Sequence, residues 1–266
     1  MPAQDPVVAY IDFSELRRAG ILRLLDGSKA GEDPEYQSFV RQTQFDYQED
    51  LDSALVAFAP TGRFLLVQGR FDWKSLHTYV ESQDGTCFNS LCRMAGSTPE
   101  RRISFYPVRS NLMALAVSPN EYAAMSMQSA VSGPDHQVPT APVWLSIPTS
   151  VLKSSDSLPA GTRMFAHSME QAETVTLAFA PEGHGLAARL DVGCRDERAA
   201  ADLASQLTST TSLLRETMER EHQKPNPADL SGVLSAGAFR NEGRRVLGYW
   251  PIEPAFVQNV LGGSAP

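Results

Sequence analysis

Three cysteines and five histidines carry the widest chemical repertoire in this chain. Cys87 and Cys92 bracket the segment Thr86-Cys87-Phe88-Asn89-Ser90-Leu91-Cys92, while Cys194 stands alone after an apolar run. A structural zinc site needs four ligands, so one C-x4-C without a second pair is poor zinc spacing. A local disulfide between Cys87 and Cys92 fits better, with two free thiols as the alternative. Closing so short a loop contributes only about 2 kcal/mol on a chain-entropy argument, enough to pin a turn but not to hold a fold. Such a bond requires an oxidising compartment. Cys194 reads as a buried, inert thiol.

The histidines, at 77, 136, 167, 184 and 222, do not pair with one another or with cysteine at metal-ligand spacing. His77 falls on a helix surface, His136 in a linker, His167 in a connecting segment, His184 in a turn and His222 at a helix end. Gly183-His184-Gly185-Leu186-Ala187-Ala188 has the form G-x-G-x-x-A. A dinucleotide site needs that pattern between a strand and a helix, and here a strand follows it, so it reads as a hairpin turn. No phosphate-binding loop, zinc-protease helix, nucleophile elbow or calcium loop occurs. Glu49, Asp50 and Asp52 cluster as a solvated turn, with a calcium or acid–base site as the sharper alternative. Trp73, Trp144 and Trp250 sit at element ends as packing residues. On these grounds no catalytic residue, metal ligand or cofactor is assigned; a site assembled from distant residues stays open.

The elements that position these residues follow from pattern. Val7–Phe13 has strand composition, and Ser14 reads as the N-cap of a helix from Glu15 to Leu25 that Asp26-Gly27 ends. A second helix is expected from Pro34 to about Thr43. Ala54–Ala59 and Arg63–Phe71 form a hairpin around Pro60-Thr61-Gly62, and Asp72 caps a helix to about Ser82. Ile103–Tyr106 and Leu112–Val117 form another hairpin, after which Ser118-Pro119-Asn120-Glu121 reads as a capping box for a helix through Gln128. Residues 129–142, with Pro134, Pro139 and Pro142, mark a linker.

Beyond the linker the same order returns. Val143–Ile147 is a strand, with a short helix near Ser150 to Lys153. Glu173–Ala180 and Gly185–Val192 form a hairpin, and a long helix runs from Asp196 to Glu221. Val233–Phe239 pairs with Arg245–Trp250, and Glu253–Leu261 is a closing helix stopped by Gly262-Gly263. Ala57-Phe58-Ala59-Pro60-Thr61-Gly62 recurs as Ala178-Phe179-Ala180-Pro181-Glu182-Gly183, differing at one position. Shared order and shared turn together suggest an internal duplication. The expected fold is α+β: two similar halves, 1–128 and 143–266, each an antiparallel sheet covered by helices on one face.

Composition bounds the function classes. The chain has 266 residues, 42% hydrophobic and 20% charged, with a net charge of -8. Only four of the 23 basic residues are Lys, and the tightest basic clusters are the pairs Arg17-Arg18, Arg101-Arg102 and Arg244-Arg245. Phosphate backbones reward denser cationic clusters, so nucleic acid is not the expected partner. No run approaches the ~20 apolar residues of a membrane-spanning helix. Met1–Pro6 has neither a basic nor an apolar signal region, which leaves two readings: a cytoplasmic protein, or one whose export signal preceded Met1.

The stretches LDSALVAFAPTGRFLLVQGRFDWKSLHTYVES and ISFYPVRSNLMALAVSPNEYAAM resemble a repeating pattern found in exported bacterial proteins of unknown function. In that pattern a strand pair leads into an aspartate-capped helix, and a second hairpin ends in a Ser-Pro helix start, here Ser118-Pro119-Asn120-Glu121. The likeness spans residues 5–128 and, more weakly, 143–262. It implies an exported, signal-cleaved or lipid-anchored protein and carries over no catalytic residue.

The expected function is therefore a non-enzymatic protein of the periplasm or cell envelope. It would bind an unknown protein or small-molecule ligand through the surface or cleft between the two halves. The alternatives are a hydrolase-type enzyme with a scattered site and a cytoplasmic scaffolding module with free thiols.

Overall fold

The computed structural model describes residues 6–22, 34–96, 98, 100–127, 139–153, 160–183 and 185–261. The chain divides into two compact units, Met1–Pro142 and Val143–Pro266. It is a mixed α+β protein whose strands pair antiparallel. His136, His184, the Asp26-Gly27 helix stop, most of the proline-rich linker and Gly262-Gly263 lie outside the described residues.

In the first unit, β1 (Val7–Asp12) leads into helix α1 (Phe13–Arg18). The cap is Asp12 rather than Ser14: its carboxylate accepts the Glu15 N–H at 2.7 Å, while the Ser14 hydroxyl donates to Asp52. The helix also stops early, because Gly20 takes a left-handed φ of 74° one residue past the Ala19 C-cap. Helices α2 (Pro34–Thr43) and α3 (Tyr47–Asp50) precede the hairpin of β2 (Leu51–Ala59) and β3 (Gly62–Gly69). Gly62 has φ 143°, and a Cβ there would lie 2.5 Å from the Val117 carbonyl oxygen, so no other residue fits.

Helix α4 (Trp73–Ser82) starts on Asp72, whose carboxylate accepts the N–H groups of Lys74 and Ser75. Strands β4 (Thr86–Phe88), β5 (Leu91–Ala95), β6 (Arg102–Arg109) and β7 (Leu112–Ser118) follow, then helix α5 (Ala123–Ser126). The sheet of this unit runs β1-β2-β3-β7-β6-β5-β4. The expected capping box does not close. Glu121 is drawn to Arg93, 2.9 Å away, and the Ser118 hydroxyl accepts the Asn120 N–H instead. Tyr122 becomes the N-cap, and α5 has only four residues.

Residues alternate across this sheet, and both faces are packed. One face gathers Ala57, Phe64, Ala114 and Ala116 against Ala123, Ala124 and Met127. The other gathers Cys92, Phe105 and Met113 against Leu76 and Val80 of α4, with Phe39 of α2 beside them. The expectation of helices on one face alone is thus corrected here.

In the second unit, β8 (Val143–Ile147) is followed by helices α6 (Thr149–Leu152) and α7 (Ala160–Ser168). The hairpin of β9 (Thr174–Glu182) and β10 (Gly185–Gly193) comes next, then α8 (Glu197–Arg220). Asp196 caps α8, accepting the Ala199 N–H at 2.7 Å. Leu203, Leu207, Thr211 and Met218 are buried along one side of this helix, as its spacing of three and four residues dictates.

Helix α9 (Leu230–Ser235), capped by Asp229, occupies residues expected to begin a strand. The Asp229 carboxylate accepts two backbone N–H groups, from Ser231 and Gly232, which overrides the β-branched Val233. Strands β11 (Ala238–Glu242) and β12 (Arg245–Ile252) and helix α10 (Pro254–Leu261) complete the unit. Its sheet runs β11-β12-β10-β9-β8. A single core lies on one face, joining Val175, Leu190, Val192, Val246 and Trp250 to Leu203 and Leu207, with Phe256 and Val257 of α10 packed on it.

Candidate functional site

The best-defined cluster of reactive side chains is built where α4 meets the β4–β5 hairpin. Leu76 and Val80 anchor α4 to the sheet. Asn89 and Ser90 form the two-residue loop between Phe88 and Leu91, and both have positive φ, 48° and 67°. That is the geometry of a type I′ turn, whose twist suits a tight hairpin. The turn sets Cys87 directly opposite Cys92 on the neighbouring strand, with Cα atoms 4.0 Å apart, and the two are joined as a disulfide. Cys92 is fully buried and Cys87 half-buried. The hairpin is braced by Arg93, which pairs with Glu121, donates to Thr86 Oγ1 and lies 5.1 Å over the Tyr122 ring.

His77 completes the cluster. One imidazole nitrogen and the two Sγ atoms all lie within 4.8 Å of one another. Sequence alone puts His77 on a helix surface; it is half-buried there, with the disulfide nearby. Among the described residues, this is the one group of three such side chains close enough to hold a metal ion.

The other candidates disperse. The carboxylate trio does not converge on one partner: Asp50 pairs with Arg70 and Asp52 accepts from Ser14, while Glu49 adjoins Asp50 in α3. His167 lies within helix α7, not in a connection, and pairs with Glu170 at 2.8 Å. His222 follows the C-cap of α8 with a φ of 56°. Cys194 is a free, buried thiol, and burial raises its pKa, with Glu173 and Asp196 adding to the rise. It is held as an unreactive thiol. Gly183 carries φ 59° in the β9–β10 turn, and Gly185 begins a strand, which leaves no helix N-terminus for a pyrophosphate.

The tryptophans serve packing. Trp250 meets Phe165 and Phe239 edge-on, with centroids 6.1 and 5.2 Å away, Trp144 is buried, and Trp73 Nε1 donates to the Ser110 carbonyl.

Each unit also holds an open cleft. In the second unit a cleft of about 350 Å³ lies between α8, α9 and the end of β12, lined by Arg215, Met218, Glu219, Val233 and Pro251. Arg215 is fixed there by its Nε–H donating to the Ser235 carbonyl at 2.6 Å. The first unit has a cleft of about 390 Å³ beside α5, lined by Thr61, Phe64, Ser118 and Ser126. Among the described residues, no histidine or cysteine lines either one. Their mixture of apolar walls and a few fixed polar groups suits binding.

An antiparallel sheet with packed helices and a disulfide-pinned hairpin defines a fold rather than an activity. No protein-family model matches the chain, and no curated protein does. Crystal forms I, III and IV of TP0453 are similar in fold, with TM-scores of 0.52, 0.55 and 0.52. The identity is 11% in each case, over 98% of this chain and 94–95% of that one. At that identity the likeness is one of fold alone.

Proposed function

We propose that this chain is a non-enzymatic protein of the bacterial cell envelope that binds a protein or small-molecule partner. The observation that carries the reading is the Cys87–Cys92 disulfide, a bond that persists in oxidising compartments and is reduced in the cytosol. The resemblance of residues 51–82 and 103–125 to exported bacterial proteins points the same way. The cleft around Arg215 and Glu219 is the binding surface favoured here, because a fixed guanidinium beside apolar walls orients a polar ligand while burying its remainder.

The same reading includes an ancestral duplication. Its support is the strand order: β1-β2-β3-β7-β6 in one unit corresponds to β8-β9-β10-β12-β11 in the other. The Pro-x-Gly repeat adds less, since the two turns are not equivalent. Pro60 and Thr61 form a two-residue loop between Ala59 and Gly62, whereas Pro181 pairs with Leu186 inside the strands and pairing continues to Glu182 and Gly185.

Thiol counting on denatured, unreduced protein from the producing cell tests the compartment. Export gives one reactive thiol, Cys194, and a location in the envelope fraction. Three thiols and a cytosolic fraction would overturn it. Denaturation is needed because folded Cys194 is buried.

A further inference from the structure

The disulfide and His77 share a property that a merely structural cross-link does not need. We propose that, once reduced, Cys87, Cys92 and His77 form a three-coordinate site for copper(I), so that the β4–β5 hairpin alternates between a disulfide and a metal clip. The inference does not depend on the proposed binding role of the clefts.

Bonds of about 2.3 Å to sulfur and about 2.0 Å to imidazole nitrogen separate ligand atoms around one ion by roughly 3.7–4 Å. The imidazole nitrogen already lies within 4.8 Å of both sulfurs. Breaking the S–S bond lets the two sulfurs separate toward that spacing by side-chain rotation, while the strand register keeps the two residues directly opposed. His77 is presented from a helix anchored by Leu76 and Val80, so all three ligands hang on regular elements.

The donor set favours copper(I) over zinc. The two thiolates are soft donors and imidazole suits copper, whereas zinc in a closed site takes a fourth ligand. The surroundings agree: Cys87 and Cys92 belong to the same apolar cluster as Met94, Met113, Phe105 and Val80. Among the described residues, no carboxylate joins the three ligands in the cluster.

The chemistry balances with a dithiol as reductant. The dithiol gives two electrons and two protons to the Cys87–Cys92 bond, yielding two thiols, and itself closes to a disulfide. Copper(I) then displaces both thiol protons, and no further electron moves. In the return step a small-molecule disulfide accepts the two electrons and takes up two protons to become a dithiol, the Cys87–Cys92 bond re-forms, and copper(I) leaves with its oxidation state unchanged.

The test uses the full chain, reduced with a dithiol, desalted anaerobically and titrated against the coloured copper(I)–bicinchoninate complex. Reduced wild type is expected to withdraw one copper(I) per chain and to gain ultraviolet thiolate-to-copper absorption, and the disulfide form to withdraw none. The Cys87→Ser/Cys92→Ser pair should lose the withdrawal, and His77→Ala should weaken it more than about tenfold. Near-ultraviolet circular dichroism checks folding, and His77→Gln replaces His77→Ala if the latter unfolds. Equal withdrawal by the disulfide form or the double-serine variant would overturn the site. Unchanged affinity on losing the imidazole would remove His77 from it. Tight zinc(II) binding without copper(I) withdrawal would overturn the copper assignment.

Discussion

The first unit splits its core and the second does not. In the first, α5 packs on the face carrying Phe64 and Ala116, while α4 packs on the opposite face with Phe105 and Met113. In the second, α8 and α10 share one face, and Leu207, Val246, Trp250, Phe256 and Val257 belong to a single cluster. Both units nonetheless use the same order for five strands. The strand order is set by hairpin turns and ladder pairing, whereas a helix after the last strand is free to fold back on either face. The first unit adds β4 and β5 at its edge, and its disulfide falls there, within the core that α4 covers.

That contrast can be broken most sharply at the centre of the larger core. Leu207 is fully buried, so Leu207→Ala should cost about 2–5 kcal/mol. Hydrogen exchange read by mass spectrometry should then show protection falling in β10 and β12, with β3 and β7 unchanged. Equal loss in both units would show that the two cores behave as one cooperative block.

The first unit is tested by removing its cross-link. Replacing Cys87 and Cys92 with alanine should cost about 2 kcal/mol, since a loop this short gives up little chain entropy. The loss should appear first in exchange of the β4 and β5 amides. A smaller effect belongs to the caps: Asp196→Ala should cost about 1 kcal/mol, measured by urea denaturation, because it strips the Ala199 N–H of its acceptor.

The smallest effect is a pH dependence. Ser75 hydrogen bonds lower the Asp72 pKa, and in Asp229 bonds from Ser231 and Gly232 outweigh the opposing effect of burial. Both folded values are depressed, so their stabilisation is complete above the ordinary carboxylate pKa and fades as pH falls through the folded values. Acid titration of wild type and Asp229→Asn should diverge above the ordinary carboxylate range and converge at lower pH. Identical curves would remove Asp229 from the balance.

How far these features were legible in the sequence depended on whether their cause was local. The β2–β3 and β9–β10 hairpins follow from apolar runs flanking glycine turns, and Asp72 and Asp196 announced their helices. Ser14 and Ser118 misled because distant partners, Asp52 and Arg93, redirect the groups around them. The β4–β5 hairpin was hidden because Asn89-Ser90 is a turn without glycine. The pairing of His77 with the cysteines had no sequence signature at all, since it exists only when α4 lies across the hairpin. The repeated Pro-x-Gly motif was visible, but its structural meaning changed: one copy turns where the other continues as strand.

Three residues make up β4, and the outermost large side chain there, Phe88, is 71% exposed. So brief a border offers an incoming chain little backbone to template on. If the cross-link is cut and no ion replaces it, the border frays and β5 becomes the rim, with a longer row of unpaired amides behind an apolar residue. Reduced, metal-free protein should therefore self-associate on standing, and the handling of this molecule in reducing buffers becomes a question of aggregation before it becomes one of unfolding.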